Sequence, residues 1–175
     1  MALKNDAQSS FGTYLMKYDP SANSNAGEWD KFIDIIDYSD LEEQPETIDI
    51  TTLSDDTETT ISGIKRLGSG VSFSVLVKPS EFIAKRDEAE DKEITEFALW
   101  FYNGAYDAAA KSAFNATPAQ GETDDRFAVY FVGTFSIVQN GAGVDEALKA
   151  TLTIYPQKTP STGKVMNYER PSHLA

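Results

Sequence analysis

PETIDITTLSDDTETTISGIKRLGSGVSFSVLV, residues 45–77, is the stretch whose reading decides the fold. Ile48 and Ile50, continued by Thr52, alternate with Asp49 and Thr51. A period of two puts the first set on one face of a strand and the second on the other, which a helix does not do. A Thr/Asp-rich connection and a short segment ending at Gly63 follow. Gly68-Ser69-Gly70 then suits a tight turn, and Val71, Phe73 and Val75 alternate with Ser72 and Ser74 before Leu76-Val77. The stretch reads as short strands joined by polar connections.

Upstream, Trp29 to Tyr38 carries Phe32, Ile33, Ile35 and Ile36 with Asp34 and Asp37 interleaved. Apolar surface on both faces predicts a strand covered on more than one side, by this subunit or by a neighbour. Residues 1–28 are rich in Ser, Asn, Pro and Gly, which break long elements; only Phe11 to Tyr18 has the apolar character to pair. They are read as an N-terminal arm ahead of a β domain spanning 29–156.

Downstream of Pro79, SEFIAKRDEAEDKE loses its β-branched residues and predicts a helix, with Ser80 as N-cap and Glu81 in the first turn. Glu81–Lys85 and Glu88–Lys92 have i,i+4 spacing, and Phe82, Ile83 and Ala89 form a narrow apolar stripe. Ile94 to Tyr102 is an aromatic-rich strand closed by Asn103-Gly104. The next segment, Ala105 to Ala116, is open between a helix, which alanine favours, and the return strand of a hairpin. Phe127 to Gln139 is the longest strand, where Gly133 signals a bulge or a close backbone approach. Ala147 to Tyr155 returns with Leu148, Ala150, Leu152 and Ile154 inward and Lys149, Thr151 and Thr153 outward. Residues 157–175 form a C-terminal tail or arm. The fold class is mainly β: a two-sheet sandwich or barrel-like body with one flanking helix and extended terminal arms.

Composition narrows the function. At 175 residues, 41% of them hydrophobic, the chain can bury a core of its own. Its net charge of −13 argues against gripping a phosphate backbone, because that affinity comes from Lys and Arg releasing counterions. Ten acids and no Lys or Arg lie between Phe32 and Ile64. The absence of cysteine excludes disulfides, thiolate catalysis and thiolate metal sites. No apolar run reaches membrane-spanning length and MALKNDAQSS has no apolar signal core, so a soluble, non-exported chain is expected.

Catalytic apparatus is missing at the level of residue types. The single histidine, His173, sits in a Pro/Ser-containing tail with no framing partner. Asp55-Asp56 and Asp124-Asp125 fall in connections without the aromatic platform of a glycosidase. Gly68-x-Gly70 lacks the rest of a dinucleotide motif. The expectation is a non-enzyme without cofactor or metal. Trp29 and Trp100 would suit stacking on sugars if exposed, which keeps a carbohydrate-binding β-sandwich module as the alternative.

The order Pro45-Glu46-x-Ile48-Asp49-Ile50-Thr51-x-Leu53, then Thr59-x-Ile61-x-Gly63-Ile64, then Phe73-Ser74-Val75 resembles the tail tube (major tail) proteins of long-tailed phages. As an order of elements the resemblance runs from Leu15 to Tyr155; it is specific over Pro45 to Phe73. It implies a structural virion protein that polymerises as stacked hexameric rings into a hollow tail tube, assembled in the host bacterial cytoplasm. It implies self-association, contacts with tape measure, tail terminator and distal tail proteins, and viral DNA passing through the lumen without specific binding. Asp34, Asp49, Thr51 and Asp55 become candidates for facing the lumen. Leu53, Ser54, Asp56, Thr57, Glu58 and Thr59, in the linker, become candidates for contacts between rings and subunits. Related tubes of contractile injection systems are the near alternative. Two departures stand out: a helix at Ala105 to Ala116 is not part of the pattern, and the tail after Pro156 is longer than the fold needs.

Overall fold

The computed structural model describes residues 12–41, 47–49, 60–62, 70–102, 104–116, 127–141, 148–160, 163–168 and 170. Nine strands are placed among these: β1 (Thr13–Asp19), β2 (Glu28–Tyr38), β3 (Thr47–Asp49), β4 (Thr60–Ser62), β5 (Val71–Leu76), β6 (Thr95–Phe101), β7 (Phe127–Gln139), β8 (Lys149–Gln157) and β9 (Met166–Asn167). The helices are α1 (Ala22–Asn25), a single turn, α2 (Pro79–Glu90) and α3 (Ala108–Asn115).

The main sheet runs β6-β1-β2-β5-β8-β7-β9, and an additional pairing of β6 with β7 closes six of its strands into an antiparallel barrel. Of the expected sandwich or barrel-like body, the structure has the barrel: one sheet closed on itself in place of two stacked sheets. Closure rests on the length of β7. Its first half, Phe127 to Gly133, pairs with β6, and its second half, Val132 to Gln139, pairs with β8. Gly133 sits where the two pairings overlap: a Cβ there would lie 2.3 Å from the carbonyl oxygen of Tyr155. The glycine marks a close backbone approach, one of the two readings its sequence position allows.

Alternation fills the interior. Leu15, Phe73, Phe97, Leu99, Leu152 and Ile154 point inward and are fully buried. A six-stranded barrel leaves room only for side chains, so its interior is a packed core and not a channel. β2 carries two adjacent buried residues, Phe32 and Ile33, because the register against β1 slips there: Leu15 faces Ile33 and Met16 faces Lys31. The slip leaves Phe32 opposite no residue of β1, which lets neighbours in sequence both turn inward.

A second apolar cluster lies on the outside of the wall, where Met16, Trp29, Ala98, Trp100 and Tyr130 pack under Ala110 and Phe114 of α3. This explains why β6 is buried on both faces. The Ala105 to Ala116 ambiguity resolves as helix: Asp107 caps α3 by accepting from the amide of Ala110 at 2.8 Å. The expected single flanking helix is thus two. α2 starts two residues earlier than expected, with Pro79 in its first turn and Lys78 as N-cap in place of Ser80; proline suits that position because its missing N–H has no helical partner there.

The segments read as arms join this body where they are described. β1 pairs with β2 and β6 inside the barrel. β9 pairs with β7 at Tyr130 and Phe131, Met166 enters the core, and buried Asn167 donates to buried Thr159 at 3.0 Å. β3 and β4 form a separate two-stranded sheet in which Ile48 pairs with Ile61 and Asp49 with Thr60.

Candidate functional site

Assembly is the chemistry that the sequence points to, so the relevant geometry is that of edges, faces and charge. Closing the barrel removes most edges. Among the described residues several half-strands still pair on one side only: Asp34 to Tyr38 of β2 with β5, Thr134 to Gln139 of β7 with β8, and, beside α3, Glu28 to Ile33 of β2 with β1.

The outer edge of this last half-strand is taken by side chains. The Trp29 amide donates to Asn115 Oδ1 at 2.7 Å, and Asn115 Nδ2 donates to the Trp29 carbonyl at 2.9 Å. A primary amide carries the same donor and acceptor pair as a peptide group, so Asn115 does there what a neighbouring strand would do. The Lys31 amide donates to the Tyr106 hydroxyl at 3.1 Å. Tyr106 in turn donates to Asp30 Oδ1 at 2.9 Å, and Lys111 reaches Asp30 at 3.0 Å and Glu28 at 3.3 Å.

These contacts perturb the groups that make them. Burial, then the hydrogen bond to the Asp30 carboxylate, push the Tyr106 phenol up to about 12. Lys111 is raised chiefly by its hydrogen bond to Asp30. Burial pushes Asp30 up, but the bonds from Lys111, Tyr106 and the Lys31 amide together outweigh it, and the carboxyl lies below its ordinary value. The network fastens α3 over the strand edge.

Arg170 fastens the same helix from the tail. Its guanidinium lies 5.0 Å from the Phe114 ring centroid and 5.9 Å from that of Tyr130. It donates to the carbonyls of Asn115, at 3.3 Å, and Phe114, at the C-terminal end of α3. A cation there answers the helix dipole as well as the unpaired carbonyls.

On the other side, α2 packs against β7 with Phe82 and Ala89 against the interior cluster, while Ile83, the third residue of the expected stripe, is exposed. Lys85 lies 4.1 Å from the Phe32 ring centroid and Lys17 forms an ion pair with Glu88. Within the helix Lys85 pairs with Glu88 and Arg86 with Glu90, in place of the expected Glu81–Lys85 and Glu88–Lys92 pairs. The helix ends at Glu90 and Lys92 takes a positive φ of 52°, which removes it from the helical face.

Of the lumen candidates, Asp34 is exposed on β2 and holds an ion pair with Lys31 at 2.8 Å. Asp49 is placed only as backbone in β3; its side chain, Thr51 and Asp55 lie outside the described residues. So do Leu53, Ser54, Asp56, Thr57, Glu58 and Thr59. Asp34 is thus the one lumen candidate whose side chain is described. Asn115, Tyr106, Lys111 and Arg170 were not among the sequence candidates. The i,i+4 spacing of Lys111 and Asn115 places them on one helix face, but what that face covers depends on docking.

Trp29 and Trp100 are both buried, at 1% and 3% exposure, so neither offers a sugar platform. A groove of about 220 Å³ beside the β2 bulge, lined by Asp37, Ser39, Ser72, Ser74 and Thr151 among others, is below the usual ligand-site range of about 300–1,000 Å³. Among the described residues no three His, Cys, Asp or Glu side chains gather as a metal site, and no helix is long and apolar enough to cross a membrane.

No protein-family model matches the chain, and no curated protein matches it at a significant level.

Proposed function

We propose that this chain is a tail tube subunit: a structural virion protein whose copies form stacked hexameric rings around a channel for genome delivery. The observation that carries the reading is the 45–77 pattern. Its two alternating segments pair as the β3–β4 sheet, outside the barrel, and its third is barrel strand β5. A separate two-stranded sheet with an acidic linker between its strands suits contacts between rings. With the barrel interior packed, the channel of this reading would run between subunits, and assembly would use outward faces, the β3–β4 sheet and the termini. Tape measure, terminator and distal tail proteins would be its partners, and the virion tail its location.

In this reading the acids between Phe32 and Ile64 repel DNA phosphates and keep the genome from adhering. Reversing Asp34, Asp49 and Asp55 to Lys should slow ejection and leave tubes intact; unchanged ejection removes the acidic-lumen part of the proposal. The contractile-injection tube remains the near alternative. The carbohydrate module is disfavoured by the burial of both tryptophans. Negative-stain microscopy over a concentration series, with light scattering alongside, tests the assembly itself. Hollow rings or tubes are expected, and a protein that stays monomeric at all concentrations and with tail initiator proteins added refutes it.

A further inference from the structure

The wall of the barrel has two outward faces of opposite character. One is covered by the chain's own α3 and tail. The other, formed by β5, β8 and β7, carries Ser72 and Ser74, Thr151 and Thr153, and Thr134 and Ser136, all half-buried and pointing away from the core. Hydroxyls meet across its strands: Ser72 Oγ lies 3.4 Å from Thr153 Oγ1, and Ser136 Oγ 3.2 Å from the Tyr155 hydroxyl.

Charge is nearly absent from this face. The three strands, of 6, 13 and 9 residues, contain one charged residue, Lys149, in a chain that is 25% charged with a net charge of −13. Exposed apolar groups gather there: Leu76 at 41%, Val138 at 62% and Tyr155 at 45% lie on the face, and at its border β2 adds Ile36 at 51% together with two exposed acids, Asp34 opposite Leu76 and Asp37 opposite Ser74. Depletion of charge together with exposed apolar side chains marks the centre of protein interfaces.

We propose that this face seats a second copy of the chain; the inference rests on the assembly reading above and names the surface it uses. The charge map selects that occupant. Two copies at −13 repel through their acidic surfaces, and contact costs least where the fewest ions must be desolvated. With Lys149 as its one cation, the face does not suit a phosphate backbone as occupant. Side chains on one face stand about 6.8 Å apart along a strand and strands about 4.8 Å apart, so each position covers about 33 Å². Nine positions supply about 300 Å², well short of the roughly 800 Å² per partner of a stable contact. The face is the charge-poor centre of a larger contact, and association through it alone is weak.

The test is to replace Thr153, and separately Ser136 on another strand, by Glu and by Lys, and to compare the concentration at which light scattering and microscopy first show assembly with that of the unmodified chain. Ile83→Glu, on an equally exposed apolar position of α2, is the control. Circular dichroism and melting confirm folding, and the second position keeps the test valid if the first misfolds. Both signs of charge should raise the threshold at least about tenfold, since either ion must be desolvated, while I83E leaves it unchanged. If Glu raises the threshold and Lys lowers it, net charge alone governs association and the face is refuted. If unmodified and substituted chains assemble alike, the face lies on the bore or the outer wall, and the proposal fails while the tube reading stands. An unmodified chain that never assembles overturns both.

Discussion

Asn115→Ala should unfasten α3 from the barrel. The substitution strips the Trp29 amide and carbonyl of bonds of 2.7 and 2.9 Å and the Lys111 carbonyl of one of 3.0 Å. Leaving a buried backbone group unsatisfied costs about 1–3 kcal/mol. Trp29 is buried, but its neighbours Asp30 and Lys31 are exposed or half-exposed, so water can reach the edge once the side chain is gone. The lower part of that range then applies to each of the two Trp29 groups, for a total of about 2–3 kcal/mol. For a chain of this length each kcal/mol moves the melting temperature by about 2–4 °C, so a fall of about 5–10 °C is expected by calorimetry. Asn115→Asp keeps an acceptor but sets a carboxylate against the Trp29 carbonyl, and should be at least as destabilising. Hydrogen exchange at the Trp29 and Lys31 amides should accelerate ahead of the interior strands. A loss below about 0.5 kcal/mol, the range of an ordinary surface substitution, or unchanged exchange at Trp29, would show that the amide is not what closes this edge.

Gly133→Ala should cost more than about 3 kcal/mol and disrupt closure, because its Cβ would fall 2.3 Å from a backbone oxygen that cannot rotate away; a soluble variant with native near-ultraviolet circular dichroism would contradict this. Arg170→Lys should lose about as much stability as Arg170→Ala, about 1–2 kcal/mol, since an ammonium cannot reach two carbonyls while lying flat on Phe114; rescue by lysine in urea unfolding would reduce the contact to plain charge. Tyr106 titrates at about 12 in the folded chain against 10.0 ordinarily, so its contribution is complete below pH 10 and lost as pH rises toward 12, in the same alkaline direction as that of raised Lys111. Asp30, held low, contributes above the ordinary carboxylate range and loses that contribution as pH falls through its depressed value. A phenolate absorbance titration should show one late tyrosine that Y106F removes; tyrosines all titrating together near pH 10 would refute the Asp30 hydrogen bond.

Strand positions were legible because half-burial writes itself as a period of two. Ala150, Leu152 and Ile154 of β8 are fully buried, with Lys149, Thr151 and Thr153 outward, as the alternation requires. β2 was legible only as doubly apolar: whether a neighbour or the chain itself covers it turns on a register slip opposite Leu15 and Met16 and on the docking of α3. The α2 ion pairs were misassigned because spacing gives what can meet on a helix, whereas Lys85 and Glu88 are also drawn to Phe32 and Lys17 of the barrel.

What the sequence determined by itself is local: alternation, turns, the acid-rich block and the absence of cysteine are all read along the chain. Whether the strands end as an open sandwich or a closed barrel is not local. It depends on β7 being long enough to pair with β6 and β8 in turn, and on a glycine at the crossing. Nor does the sequence show that Asn115 stands in for a strand, or that hydroxyl side chains from three distant strands share one charge-poor face. Those juxtapositions join residues tens of positions apart, and only chain closure brings such residues within the few ångströms over which hydrogen bonds and desolvation act.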